Sequence, residues 1–234
     1  MSSQQNLLLA SLSSSDGAAL RPFLKSVQLA HQAVLFEAGG EINRVYFPTG
    51  AIVSMVVTLS SGETLEAAMV GKDGAVGALA ALDGGLSLSR AVVQLAGTAM
   101  VCDGPALKSA ALQSHSLLSA LVRHEQTIFA QVQQSAACMA AHSVESRLCR
   151  WLLRARDLAD SDTLHFTHEY VAAMLGVRRT SVTLVARGLQ QAGMIKYTRG
   201  KIQLTDIEAM QETVCECYGT VKSYYETLLL RPLE

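Results

Sequence analysis

The sequence is poor in charge, aromatics, proline and cysteine. Of its 234 residues, 17% are charged and 5% aromatic, with four prolines and five cysteines. Half the residues are hydrophobic. That balance excludes global disorder and leaves enough apolar material for a sizeable core. No run approaches the length of a membrane-spanning helix, and the most apolar stretch, Ala51 to Leu59, is broken by Ser54 and Thr58. The N-terminal stretch lacks the positive start and long apolar run of a signal peptide, so a soluble cytoplasmic protein is expected.

The cysteines are Cys102, Cys138, Cys149, Cys215 and Cys217. An odd number without framework spacing argues against a secreted disulfide scaffold. Cys215-x-Cys217 is the only close pair, and one pair falls short of a zinc ligand set. Ordinary thiols are expected, with Cys149 packing beside Trp151 and the C-terminal pair bracing the neighbouring domain. No metal site is expected. Nor does the chain contain His-x-His, Gly-x-Ser-x-Gly or a phosphate-binding Gly-x-x-x-x-Gly-Lys-Ser/Thr pattern. A cupin-like enzyme, which needs His-x-His with further ligands, is therefore only a remote alternative. His31, His115 and His124 are isolated and read as hydrogen-bonding residues.

Glycine and proline divide the chain. Twelve of 17 glycines lie in residues 1–104, and no proline occurs between Pro105 and Pro232. After a short helix at Gln5 to Leu12, apolar runs at Ala33–Phe36, Arg44–Phe47, Ala51–Leu59, Thr64–Val70, Arg90–Leu95 and Thr98–Cys102 alternate with turn signals. This pattern reads as an antiparallel β barrel or sandwich. From Pro105 to Ala159 the chain reads as helix. Leu117, Leu118, Leu121, Val122, Ile128, Phe129, Val132, Ala136, Met139 and Ala140 form an apolar stripe, with Gln131, Gln133, Gln134 and Ser135 opposite. Packing on its own domain and pairing with a second copy both remain open for this stripe. Its coiled-coil-like repeat favours the second, with Leu121, Ile128, Val132 and Met139 at the interface.

The strongest signal follows Asp160-Ser161-Asp162. Thr167 can cap a first helix whose buried face is Val171, Ala172 and Leu175, and Gly176 can end it. A second helix, from about Arg179 to Gln190, buries Val182, Val185, Ala186 and Leu189. Its other face carries Arg179, Thr180, Thr183, Leu184 and Arg187, with Arg178 and Ser181 at its start. This is the grammar of a helix-turn-helix whose second helix enters the major groove of double-stranded DNA. Two short alternating runs around Arg199-Gly200-Lys201 then read as a hairpin wing offering Lys196, Arg199 and Lys201 to phosphates.

These residues, Thr167 through Asp206 above all, resemble the Crp/Fnr family of bacterial transcription regulators, and the resemblance extends over nearly the whole chain. It implies an α+β protein: an N-terminal antiparallel β-roll (jelly-roll-like) of the cyclic-nucleotide-binding type, a long dimerisation helix and a C-terminal winged helix-turn-helix. The corresponding boundaries are 1–112, 113–141, 142–210 and a C-terminal helix and tail at 211–234. The family further implies a homodimer on a pseudo-palindromic promoter site and a β-roll that acts as sensor; contact with RNA polymerase belongs to the alternative reading without an effector.

The chain departs from the family at several positions. Members place Arg-Glu at the start of the recognition helix and a second Arg four positions after the Glu. Here Arg179 keeps the first place, Thr180 stands for the Glu and Leu184 for the second Arg. Arg179 is the candidate for a bidentate guanine contact, and Leu184 for contact with a thymine methyl. Cyclic-nucleotide binders carry Gly-Glu-Leu and then an Arg-Ser or Arg-Thr pair. The matching stretch here is Gly77-Ala78-Leu79, then Asp83-Gly84-Gly85 and Arg90-Ala91. An alanine cannot accept the ribose hydrogen bonds, so that nucleotide site reads as degenerate. Gly77, Ala78, Arg90 and Ala91, with Glu66 from an apolar strand, remain candidates for an effector pocket. Glu66 has a second reading as an outward-facing strand carboxylate. No cysteine precedes Cys102, which excludes the N-terminal iron–sulfur cluster of the oxygen-sensing branch. No cofactor is expected.

The net charge of −1 conceals an asymmetry. Residues 1–141 carry seven basic and nine acidic groups, residues 142–205 ten and five, and residues 206–234 two and six. A basic head is thus enclosed by an acidic sensor and tail, as phosphate contact requires. A DNA-binding regulator responsive to an unidentified effector is the leading expectation. A regulator whose degenerate β-roll serves only dimerisation or protein contacts is the alternative.

Overall fold

The computed structural model describes residues 5–83 and 85–229. Gly84 and the last five residues of the expected tail lie outside the described residues. The chain opens with helices α1 (Leu7–Ala10) and α2 (Ser14–Leu20), capped by the side chains of Asn6 and Ser13. A 3-10 turn, Arg21–Phe23, leads into strands β1 (Lys25–Leu29), β2 (Val34–Phe36), β3 (Arg44–Pro48), β4 (Ile52–Thr58) and β5 (Thr64–Val70). Helix α3 (Ala78–Asp83) and strands β6 (Arg90–Leu95) and β7 (Gly97–Asp103) complete the roll. Its two antiparallel sheets have the orders β1-β7-β3 and β2-β6-β4-β5.

All six apolar runs expected as strands are strands. Strand β1 lies outside those runs. Lys25-Ser26-Val27-Gln28-Leu29 buries only its last residue, so it has no apolar run, and pairing with β7 makes it a strand.

Residues from Gly104 to Ala159 form three helices: α4 (Gly104–Gln113), α5 (His115–Ala141) and α6 (Val144–Ala159). The breaks fall at serines. Ser114 and Ser143 are extended and accept from Leu117 N and Ser146 N, a better use of a serine than a helix interior. Ser114 and Ser116 also donate to Asp16 at 2.5 Å each. Burial works against ionising Asp16, yet these bonds and one from Ser13 outweigh it and hold its carboxyl below the ordinary range. The start of α5 is thereby anchored to α2.

The C-terminal unit comprises β8 (Thr163–Leu164), α7 (His168–Leu175), α8 (Arg179–Gln191), β9 (Ile195–Thr198), β10 (Lys201–Leu204), α9 (Ile207–Thr213) and α10 (Cys217–Leu229). Strands β8, β10 and β9 form a small antiparallel sheet. Helix α10 returns along α5, with Val221 and Tyr225 buried in the roll's core and the Tyr225 hydroxyl donating to Gln131 Oε1 at 2.8 Å. Cys217 opens this helix, whereas Cys215 precedes it. The pair therefore lies at a junction with α5 rather than within a helix bracing the DNA-binding unit alone.

Two cores result. Phe36, Val45, Phe47, Val53, Ala91 and Val93 fill the roll and meet Leu117 and Leu121 of α5. The outer face of the larger sheet contributes Ile52, Val56 and Met69 to a second core, shared with Trp151 and Leu152 of α6 and with α7, α8 and the hairpin. Sensor and C-terminal unit are thus packed as one body along β4 and β5. Gly71 marks the close approach, since a Cβ there would stand 2.9 Å from Leu158 Cβ on α6. Beside it, Arg154 of α6 pairs with Asp73 at 2.6 Å, and its guanidinium lies 4.4 Å from the Tyr225 ring centroid.

Candidate nucleic-acid interface

The interface is built from α7 upward. Thr167 is extended, and its hydroxyl accepts from Tyr170 N at 3.1 Å, which fixes where α7 begins. Gly176 ends it at φ 62° and ψ 42°, the left-handed conformation that any side chain would strain. Gly176 also lies against the Leu65 side chain of the sensor strand β5, where a Cβ would collide. Arg178 is the extended residue before α8, and the turn throws α8 across α7.

Helix α8 buries Val182, Ala186 and Leu189, with Val185 half-buried. Its outward face exposes Arg179, Thr180, Leu184 and Arg187, while Ser181 is half-buried near its start. Leu184 is 72% exposed, a large apolar side chain held in solvent at the centre of a polar face. Arg179 Nε lies 3.6 Å from Glu169 Oε2, an exposed pair that a phosphate or base edge can replace at little cost. Thr183 is tied down: its hydroxyl donates to Arg179 O at 3.0 Å and lies 3.1 Å from His168 Nδ1.

The hairpin is held to this frame by His168. The imidazole stacks on Tyr197 of β9, ring centroids 3.9 Å apart. Burial, and then the nearby Arg179 charge, lower its pKa below the ordinary value, so the ring is neutral at neutral pH. Gln190 accepts from Tyr197 N at 2.9 Å and ties the hairpin to α8. Lys196, Arg199 and Lys201 are exposed on this hairpin. The arrangement offers a helix face with three donors for base edges, Arg179, Thr180 and Arg187, flanked by cations for the phosphate backbone. Every residue expected at the DNA face belongs to α8 or the hairpin, or, in the case of Thr167 and Arg178, to the helix caps. Sequence reasoning missed Glu169 and His168. His168 is buried against α8 and Glu169 is exposed beside its first turn, and only their adjacency to the Thr167 cap signalled either.

The profile of the Crp-like helix-turn-helix domain matches residues 146–213. Residues 146–213 belong to the Crp-like helix-turn-helix family, on a chain with the Crp/Fnr fold. The likeness extends through the sensor. FixK2 from Bradyrhizobium japonicum superposes with a TM-score of 0.71 at 14% identity, over 82% of this chain and 98% of that one. A CRP/FNR-family transcriptional regulator from Thermus thermophilus gives 0.68 at 23%, over 81% and 97%. CLP of Xanthomonas campestris, described as a c-di-GMP-responsive global regulator, gives 0.67 at 14%, over 83% and 100%. A comparison with curated protein sequences returns no significant match. The match gives residues 146–213 the DNA-binding helix-turn-helix of Crp-like proteins and lends no support to the cupin-like reading.

In this Crp/Fnr frame the expected effector residues do not converge. Ala78 is fully buried at the start of α3, and Ala91 is fully buried in the roll's core. Gly77, at φ 89°, lies against Ile42 and Phe36. Arg90, half-buried at the start of the interior strand β6, pairs with Glu37 at 3.1 Å. Glu66 sits on the other side of the sheet, under the DNA-binding unit. The bulge between Met55 and Val56 sets Val56 opposite Glu66, and Glu66 accepts from Ser54 Oγ at 2.5 Å and from Trp151 Nε1 of α6 at 2.9 Å. The outward reading of Glu66 is right for the sheet, but its carboxylate is buried rather than solvated.

The helix α5 residues also divide. Leu121 is only 1% exposed, within its own chain's core, and Ile128 is half-buried against that core. Leu121 is therefore not available to a second copy. Polar Gln131 and Ser135, expected opposite the stripe, are buried, while Phe129 is 64% and Val122 40% exposed. Val132 and Met139 are half-buried beside the exposed Ala136 and Ala140. Gln131 can face inward because Tyr225 and the Met69 carbonyl satisfy its amide. Among the described residues, no helix is long and apolar enough to cross a membrane.

Proposed function

We propose that this regulator binds pseudo-palindromic promoter DNA as a homodimer in the cytoplasm, inserting α8 of each copy into successive major grooves. The observation that carries the reading is the α8 face, where Arg179, Thr180, Leu184 and Arg187 stand exposed beside the cationic hairpin. The dimer is supported by the apolar side of α5, where Val122, Phe129, Val132, Ala136 and Met139 follow one another at helical spacing with solvent access. Two such copies set α8 helices about 34 Å apart for an inverted repeat. Sedimentation of the protein with and without a selected duplex tests this. Two chains per duplex are expected, and one chain per duplex would refute the dimer.

The sensor is proposed to act through the shared core along β4 and β5, where a change in the roll moves Glu66, Asp73 and Leu65 against α6 and α7. A second reading, with no small effector and a roll serving dimerisation or contact with RNA polymerase, is favoured by one observation. Side chains of the roll fill its interior, and Arg90 is engaged by Glu37. Calorimetry against nucleotides and metabolites separates the two readings. A saturable ligand that changes DNA affinity supports the first, and full DNA affinity without additives supports the second.

A further inference from the structure

Three cysteines and a histidine converge where α5 ends. Cys138 lies in the last turn of α5, and His142 is its C-cap, four residues later and on the same side. Cys215 and Cys217 come from the connection between α9 and the start of α10. The three sulfurs and an imidazole nitrogen all lie within 4.8 Å of one another. Cys138 Sγ is 3.6 Å from Cys215 Sγ, and Cys217 Sγ is 3.6 Å from His142 Nδ1. A tetrahedral zinc ion with ordinary Zn–S and Zn–N bonds sets its ligand atoms about 3.5–3.8 Å apart. Two edges of that tetrahedron are therefore already in place. An iron–sulfur cluster, whose four ligands are shared among two or four irons, needs a wider set.

We propose that Cys138, His142, Cys215 and Cys217 bind one tetrahedral zinc ion. The surroundings are those of a closed structural site. His142 Nε2 lies 3.3 Å from Glu216 Oε1, the carboxylate partner that orients a ligating imidazole. Gln134 Nε2 donates to Cys217 Sγ at 3.0 Å. All three cysteines are buried. Three thiolates and one neutral imidazole around Zn²⁺ leave a net charge of about −1. Arg147 and Arg150 of α6 lie within electrostatic reach of Cys138, and the Nε of each is buried without a hydrogen-bond partner. Their positive charge offsets that of the centre. The ion would join the end of α5, the His142–Ser143 hinge into α6 and the base of α10. It would thereby set how the DNA-binding unit hangs from the dimerisation helix.

The test is metal analysis of the full-length protein, purified under reducing conditions without chelator. One zinc per chain is expected, and cobalt substitution should give the intense visible bands of tetrahedral thiolate coordination. C215S and H142A should lose the metal, C102S should keep it, and E216Q should weaken it roughly 10–100-fold. Should the ligand variants fail to fold, the wild-type protein still decides: a strong chelator should lower Tm and zinc should restore it. The proposal is overturned by a metal-free chain that takes up no zinc or cobalt. Iron with acid-labile sulfide, or a Cys138–Cys215 disulfide in the reduced preparation, overturns it equally.

Discussion

The indole of Trp151 on α6 donates a 2.9 Å hydrogen bond to the carboxylate of Glu66 on β5, joining the DNA-binding unit to the sensor sheet inside a shared core. The group around Glu66 is small: Ser54 and Gln94 from the sheet, Arg150, Trp151 and Arg154 from α6, and Tyr170 from α7. Ser54 has one hydroxyl hydrogen and two acceptors, Glu66 at 2.5 Å and Gln94 Oε1 at 2.8 Å. A proton on Glu66 resolves the conflict, since Glu66 then donates to Ser54 and Ser54 to Gln94. An ionised Glu66 instead requires the Gln94 amide turned over, with its NH₂ donating to Ser54.

Burial pushes the Glu66 pKa from 4.5 up to about 7, against the pull of Ser54, Arg150, Trp151 and Arg154. Between those values the folded chain holds a proton that the unfolded chain has released. The contribution to stability is full below pH 4.5, falls as pH rises and is gone above about 7. Its size is on the order of 3 kcal/mol. Thermal melts from pH 5 to 8 should show wild-type Tm falling relative to Glu66→Gln, whose profile lacks this component. Parallel profiles would refute it.

Arg179 is exposed, pairs with Glu169 and sits where α8 begins. Arg179→Ala should weaken specific DNA binding by about 1–3 kcal/mol and relax one base position, whereas Arg199→Ala should weaken all sequences alike and lower the salt slope by about one. Titrations by mobility shift on matched and single-substituted duplexes measure both effects.

Phe129 stands 64% exposed on α5 while the polar Gln131 faces inward. Phe129→Glu should leave the fold intact, since the side chain is mostly exposed, and should convert the proposed dimer to monomer in sedimentation equilibrium. An unchanged dimer would move the interface away from α5.

Gly176 serves two functions, the left-handed end of α7 and the contact with Leu65. Gly176→Ala should destabilise by about 1–3 kcal/mol through backbone strain and overpacking. Leu65→Ala in the same chain should recover part of that loss, which a double-mutant cycle of denaturation midpoints would measure.

Much of the fold is legible in the sequence because its signals are local. The Thr167 cap, the Gly176 stop, the buried spacing of α8 and the Arg199-Gly200-Lys201 turn all act within a few residues, so the helix-turn-helix and its hairpin can be read from the chain alone. What escapes depends on distant partners. Gln131 is polar yet buried because Tyr225 satisfies it from 94 residues away. Glu66 looks like a strand carboxylate because the Trp151 that covers it belongs to another unit. In the sequence the metal-ligand cluster is two unrelated features, a lone Cys-x-Cys pair and scattered residues, because Cys138 and Cys215 are 77 positions apart.

The most direct test of the central claim is selection of the preferred duplex from a random DNA pool by the full-length protein. An inverted repeat with half-site centres about one helical turn apart is expected, lost in Arg179→Ala. A single asymmetric site, or no enrichment over random sequence, would contradict it.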